Sequence, residues 1–116
     1  MLESMEIRNE SLGAYTVLHL RGEFDGVDGQ ALLREIELLC AAGVDRVALN
    51  LSEIYFIDSS ALGAILRAYK TLNASEGRLV VSRPSSFCRE IMAKVGLERA
   101  VSIYASDEEA GRALVA

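Results

Sequence analysis

Val44-Asp45-Arg46-Val47-Ala48-Leu49-Asn50-Leu51-Ser52-Glu53-Ile54-Tyr55-Phe56-Ile57-Asp58-Ser59-Ser60-Ala61-Leu62-Gly63 is the stretch on which the fold turns. Residues 44–52 hold the run Val47-Ala48-Leu49-Asn50-Leu51, which suits a central strand. After Glu53 a second apolar patch, Ile54 to Ile57, reaches Asp58. From there the period changes. Leu62, Ile65, Leu66, Tyr69 and Leu72 fall on one helical stripe, with Arg67, Lys70 and Thr71 on other faces. A buried strand end therefore runs directly into a helix that opens on Asp-Ser-Ser.

Working upstream, apolar residues at Leu32, Leu33, Ile36, Leu39 and Cys40 predict a helix from about Val27 to Ala42. Gly43 stands where a left-handed C-terminal cap is expected. Before it, Gly22 to Gly26 breaks a period-two run, Ala14 to Arg21, in which Thr16, Leu18 and Leu20 alternate with Tyr15, Val17 and His19. With Met5 to Asn9 and a turn at Ser11-Leu12-Gly13, this run predicts an antiparallel hairpin. Downstream, Glu76-Gly77 ends the second helix and Arg78 to Ser82 is a short strand. Arg83-Pro84 turns the chain. Ser85 and Ser86 are candidate N-caps for a helix carrying Phe87, Cys88, Ile91, Met92 and Val95, stopped by Gly96. Val101 to Tyr104 reads as a last strand, and Ser106-Asp107-Glu108-Glu109 is a capping box opening a terminal helix to Val115. The order β-β-α-β-α-β-α-β-α predicts one α/β domain over residues 1–116 with a mixed sheet and right-handed crossovers between its parallel strands.

Bulk properties narrow the function. The chain has 116 residues, 51% hydrophobic and 25% charged, the balance of a folded globular domain. Twelve Lys+Arg against 17 Asp+Glu leave a net charge of -5. No basic stripe is present, and aromatic residues are too few for a base-stacking platform, so nucleic-acid binding is not expected. No apolar run approaches the ~18 residues of a membrane helix. Met1-Leu2-Glu3-Ser4-Met5-Glu6 lacks the pattern of a signal peptide, which predicts a cytoplasmic protein.

Metal and cofactor chemistry find little purchase. Cys40 and Cys88 lack metal-ligand spacing and fall on apolar helix sides, as reduced core thiols do. His19 is the single histidine, set in a strand-like run, which argues against a zinc site. Gly22, Gly26 and Gly29 form neither a P-loop nor a dinucleotide fingerprint. No cofactor is expected.

Asp58-Ser59-Ser60 admits two readings. Asp and Ser are favoured N-caps and stand there for the helix alone in the simpler one. Yet three cap-type residues in a row exceed what one helix start needs. A phosphoryl group on such a serine would meet free backbone N–H groups and the positive end of the helix dipole. The helix tolerates that charge, while a partner surface would not.

At these residues the chain resembles a known family. Phe56-Ile57-Asp58-Ser59-Ser60-Ala61-Leu62-Gly63 is similar to the phosphorylation motif D-S-[ST]-G-L-G of STAS-domain anti-sigma-factor antagonists. Leu20-Arg21-Gly22-Glu23-Phe24-Asp25 resembles their L-x-G-E-[LF]-D. Val47 to Ser52 resembles their central strand, and Phe87 through Gly96-Leu97 to Ile103 their last helix-to-strand passage. The resemblance implies a STAS-like fold with an N-terminal hairpin and about four α-helices. It implies a protein without catalysis of its own that binds an anti-sigma factor. That partner is also a serine kinase, and a PP2C-type phosphatase reverses its action. Ser59 would be the acceptor, with Ser60 as second choice. Asp25, Asp58, Ser59, Ser60, Ala61, Gly63 and Arg67 would form the binding surface. The family has glycine where this chain has Ala61, whose methyl is expected beside the acceptor.

Other classes fit less well. The resemblance also admits a scaffold subunit of a stress-signalling complex or a soluble subunit of a lipid or anion transport system. Ser59, Asp58 and His19 are the residue types of a hydrolytic triad, but the flanks are not G-x-S-x-G. A receiver-type phosphoaspartate at Asp58 would need an acidic pair after the first strand and a late lysine. Here Glu23 and Asp25 follow the second strand and Arg83-Pro84 stands late.

Overall fold

The computed structural model describes residues 5–116; most of the N-terminal stretch read as lacking a signal-peptide pattern, residues 1–4, lies outside them. Strands β1 (Glu6–Ser11) and β2 (Thr16–Phe24) form the expected hairpin, with Ser11 opposite Thr16. Helix α1 (Gly26–Ala41) leads to β3 (Arg46–Ile57), α2 (Ser59–Ala74), β4 (Arg78–Ser82) and α3 (Ser86–Val95). A 3-10 turn (Leu97–Arg99), β5 (Ile103–Tyr104) and α4 (Asp107–Val115) follow. The sheet runs β1-β2-β3-β4-β5, antiparallel at the hairpin and parallel thereafter. The mixed α/β architecture is thus the one read from the element order.

Period-two alternation divides the sheet into two buried faces. Leu18, Leu20, Leu49, Leu51 and Val81 pack with Leu32 and Ile36 of α1, Ile65 and Leu72 of α2, and Met92 of α3. On the reverse face Val17, Ala48 and Val80 meet Ala110 and Leu114 of α4. Gly43, with a φ of 87°, follows the end of α1 as its cap position requires.

Several boundaries differ from the sequence reading. β2 does not stop at Arg21 but continues through Phe24, because Gly22 takes a φ of 108° at an irregularity in the ladder and the strand resumes pairing. β3 is one 12-residue strand rather than a strand and a separate patch. Register shifts fall between His19 and Arg21 and between Gly22 and Glu23. Across them the buried positions of β3 change phase, from Leu49 and Leu51 to Ile54 and Ile57. That phase change is what split the run to the eye. β5 is only two residues long, and Val101 packs into the core from outside it. On α3 the apolar side is narrower than expected: Cys88 and Met92 are buried, but Phe87 and Val95 are exposed. No helix among the described residues is long and apolar enough to cross a membrane.

One consequence of the topology positions the site. Phe24 and Ile57 are register partners at the C-terminal ends of parallel strands. α1 and α2 therefore begin side by side at the C-terminal end of two interior strands.

Candidate functional site at two paired helix starts

Asp25 caps α1. Its Oδ1 accepts from the N–H groups of Val27 and Asp28, each at 3.0 Å. Asp28 reciprocates, accepting from the Asp25 N–H at 3.5 Å and from the Met5 N–H at 3.4 Å. The Asp28 N–H, first among several donors, holds the Asp25 carboxyl below its ordinary value, whereas burial pushes the Asp28 carboxyl up.

Asp58 does the same for α2. Its Oδ1 accepts from the Ala61 N–H at 2.8 Å, and its own N–H donates to the Phe24 carbonyl at 3.3 Å. That last bond ties the two strand ends together. Both aspartates are thus engaged by the helices they start, the simpler of the roles open to them.

Ser59 and Ser60 are the first two residues of α2, and both are exposed. They differ in surroundings. Ser60 lies against the first residue of α1: a Cβ added at Gly26 would fall 2.9 Å from the Ser60 Cβ. Gly63 and Arg67 follow Ser59 at i+4 and i+8 on the same side of α2. Gly63 is half-buried, and a Cβ there would stand 3.5 Å from Arg67 Nη1.

Ala61 requires a correction. Its methyl does not stand beside the acceptor at the surface; the residue is fully buried in the main core. The third helical position points inward here, between strand end and helix, so Ala61 reaches the surface through no atom of its own. Its departure from glycine is a matter of core packing, and its side chain is withdrawn from any binding surface.

The hydrolytic arrangement is not assembled. His19 lies mid-strand, opposite Arg8 and Asn50, with Nε2 2.7 Å from Glu10 Oε1. It sits five residues before the end of β2, roughly 16 Å from the helix starts along the strand. Cys88 is a core residue as expected, its thiol pushed up by burial; Cys40 is only half-buried.

The sequence reading passed over the aromatic pair Phe56 and Phe87, which stack at 6.3 Å with both rings partly exposed. Phe56 lies at the end of β3, two residues before Asp58, but its partner lies on α3, so no local pattern announces the pair. Ser85 was read as an N-cap, and its hydroxyl accepts from the Cys88 N–H at 3.3 Å. The same hydroxyl also donates to the Ile54 carbonyl at 2.8 Å, docking α3 on the part of β3 that extends beyond β4.

This fold, with a hydroxyl-bearing helix start at the end of its central strand, defines the class. Residues 6–110 match the STAS domain, and the chain belongs to that family. Among its relatives is the anti-sigma F factor antagonist of Paenibacillus polymyxa, 25% identical over 108 residues that cover 92% of each chain. SpoIIAA, an anti-sigma factor antagonist, matches in its unphosphorylated form at 26% identity and a TM-score of 0.76, over 90% of this chain and 92% of that one. The phosphorylated form of SpoIIAA, from Bacillus, matches at 27% and 0.70, over 90% and 96%. An anti-sigma factor antagonist from Mycobacterium paratuberculosis shares the fold with a TM-score of 0.85 at 23% identity, over 97% and 96%.

Proposed function

We propose that this protein is an anti-sigma factor antagonist switched by phosphorylation of Ser59. Unphosphorylated, it binds an anti-sigma factor that is also a serine kinase and so frees a sigma factor for transcription. Phosphorylated, it lets that partner go, and a PP2C-type phosphatase resets it. The whole chain acts as one cytoplasmic STAS domain without catalysis of its own. The binding surface comprises Asp25, Asp58, Ser59, Ser60, Gly63 and Arg67, with Ala61 supporting it from beneath.

The observation that carries this reading is the exposed Ser59 at the first position of α2, directly after a carboxylate engaged by the helix backbone. A phosphoryl group there adds roughly -2 of charge where the dipole favours it. The fold is left intact, and the new charge falls on the surface a partner must approach. The names and two phosphorylation forms of the relatives support the same role.

Intact mass after incubation with ATP and source-cell extract tests the switch. One added phosphate, absent from Ser59→Ala, is the expected result. A phosphate retained in Ser59→Ala and lost in Ser60→Ala moves the acceptor to Ser60. No phosphate, from extract active on other substrates, favours the scaffold or transport-associated role.

A further inference from the structure

α1 and α2 touch at their first turns through residues with almost no side chain. A Cβ at Gly26 would fall 2.9 Å from Ser60 Cβ and 3.4 Å from Ser60 Oγ. One turn on, a Cβ at Gly29 would fall 2.7 Å from the Ala64 Cβ. Neither glycine has the positive φ that would require it for backbone reasons. What both positions require is space. Gly26 follows the Asp25 cap, and Ser60 follows Ser59 in the turn closed by the bond from Ala61 N–H to Asp58 Oδ1. The backbone of α1 is therefore the wall against which the Ser59 turn rests.

We infer that Gly26 is a positioning residue for phosphoryl transfer: by letting α1 close on Ser60, it sets where the neighbouring Ser59 hydroxyl stands. This rests on Ser59 being the acceptor. It goes further in naming a residue on another helix that neither accepts phosphate nor caps the acceptor turn. Small displacements of a reacting hydroxyl are costly, since an error near 1 Å costs on the order of 100-fold in rate. Ala is a better helix former than Gly, which offsets part of the packing cost of the added methyl, so the fold survives while the two helix starts are pushed apart.

The test uses Gly26→Ala, Ser60→Gly and the two combined. Each is incubated with ATP and source-cell extract, with phosphate at Ser59 quantified by mass spectrometry and thermal melts run in parallel. The expected result is a single cooperative melt for Gly26→Ala, somewhat below wild type but well above the assay temperature, with at least about 10-fold slower incorporation. The combined variant should recover to near the rate of Ser60→Gly alone, because removing the Ser60 Cβ restores the space. Equal rates for wild type and Gly26→Ala would overturn the inference. So would a slow Gly26→Ala that Ser60→Gly fails to rescue. Should wild type take up no phosphate, the switch itself fails, and backbone amide resonances then decide this contact. Ser59 and Ala61 amides displaced in Gly26→Ala and restored in the combined variant sustain it; unmoved amides refute it.

Discussion

Asp25 and Asp58 each hold a helix start, and one bond from the Asp58 N–H to Phe24 joins the two. The pH behaviour of such caps follows from their surroundings. Asp25 is held below 3.8 chiefly by the Asp28 N–H. The stability it contributes is therefore complete above that value and is lost as pH falls through its own lower pKa. Asp28, raised by burial, has the opposite sign: its charge costs stability at neutral pH, and protonation relieves that cost. Asp25→Ala is expected to melt lower than wild type at pH 7, with the difference shrinking below about pH 4. Melts followed by circular dichroism down to pH 2 measure this, and a gap independent of pH refutes it. Ser59→Asp has the reverse expectation. A carboxylate at the first position of α2 should leave stability unchanged or raise it by about 0.3–1 kcal/mol. Urea unfolding reads that change, and a clear loss would argue against a helix start that tolerates phosphate.

Among the elements, α4 shows most clearly what local reading captures and what it leaves out. Its N-cap was legible, and Ser106 Oγ accepts from the Glu109 N–H at 3.1 Å. The reciprocal half of the expected capping box does not form, since the Glu109 carboxylate accepts from the Ala105 N–H at 3.3 Å instead. The task of Asp107 was not legible. Its carboxylate accepts from Asn50 Nδ2 at 3.0 and 3.2 Å and from Ser82 Oγ at 2.6 Å. Both donors are buried in the sheet, and they lie 57 and 25 residues away in sequence. Removing the acceptor strands two buried donors. Asp107→Ala should therefore lower stability by about 1–3 kcal/mol in urea unfolding. A loss below about 0.5 kcal/mol, the level of a plain surface change, would contradict this account. Nearby, Gly111 lies so close to the Tyr15 ring that a Cβ there would stand 2.7 Å from Tyr15 Cε1. α4 docks by close approach as well as by charge.

For the molecule as a whole, the parallel centre of the sheet is covered on both faces, while β1 is a largely exposed edge strand. Opening should follow that order. In native-state hydrogen exchange the Val47–Leu51 amides of β3 are expected to exchange at least about 100-fold more slowly than those of β1. Comparable rates would mean that the hairpin and the parallel strands open together. The same layering explains the reading of the fold. Helices and most strands were legible because each buried face repeats with its own period. The ends of β2 and β3 were not, since a register shift in the ladder changes the phase of the pattern.

What the sequence determined by itself was local. It encoded the element order, the caps at Asp58, Ser85 and Ser106, and the run Asp58-Ser59-Ser60 at a strand-to-helix junction. The cap at Asp25 went unread because Gly22 to Gly26 looked only like a break. Caps and periodicities are short-range interactions, so neighbouring residues carry them. Tertiary structure alone decided that Phe24 and Ile57 pair and set α1 beside α2. It also turned Ala61 inward, rested Ser60 on Gly26, stacked Phe56 on Phe87 and bound Asp107 to Asn50 and Ser82. Each depends on segments distant in the chain, whose meeting is fixed by strand register and by the packing of helices on the sheet.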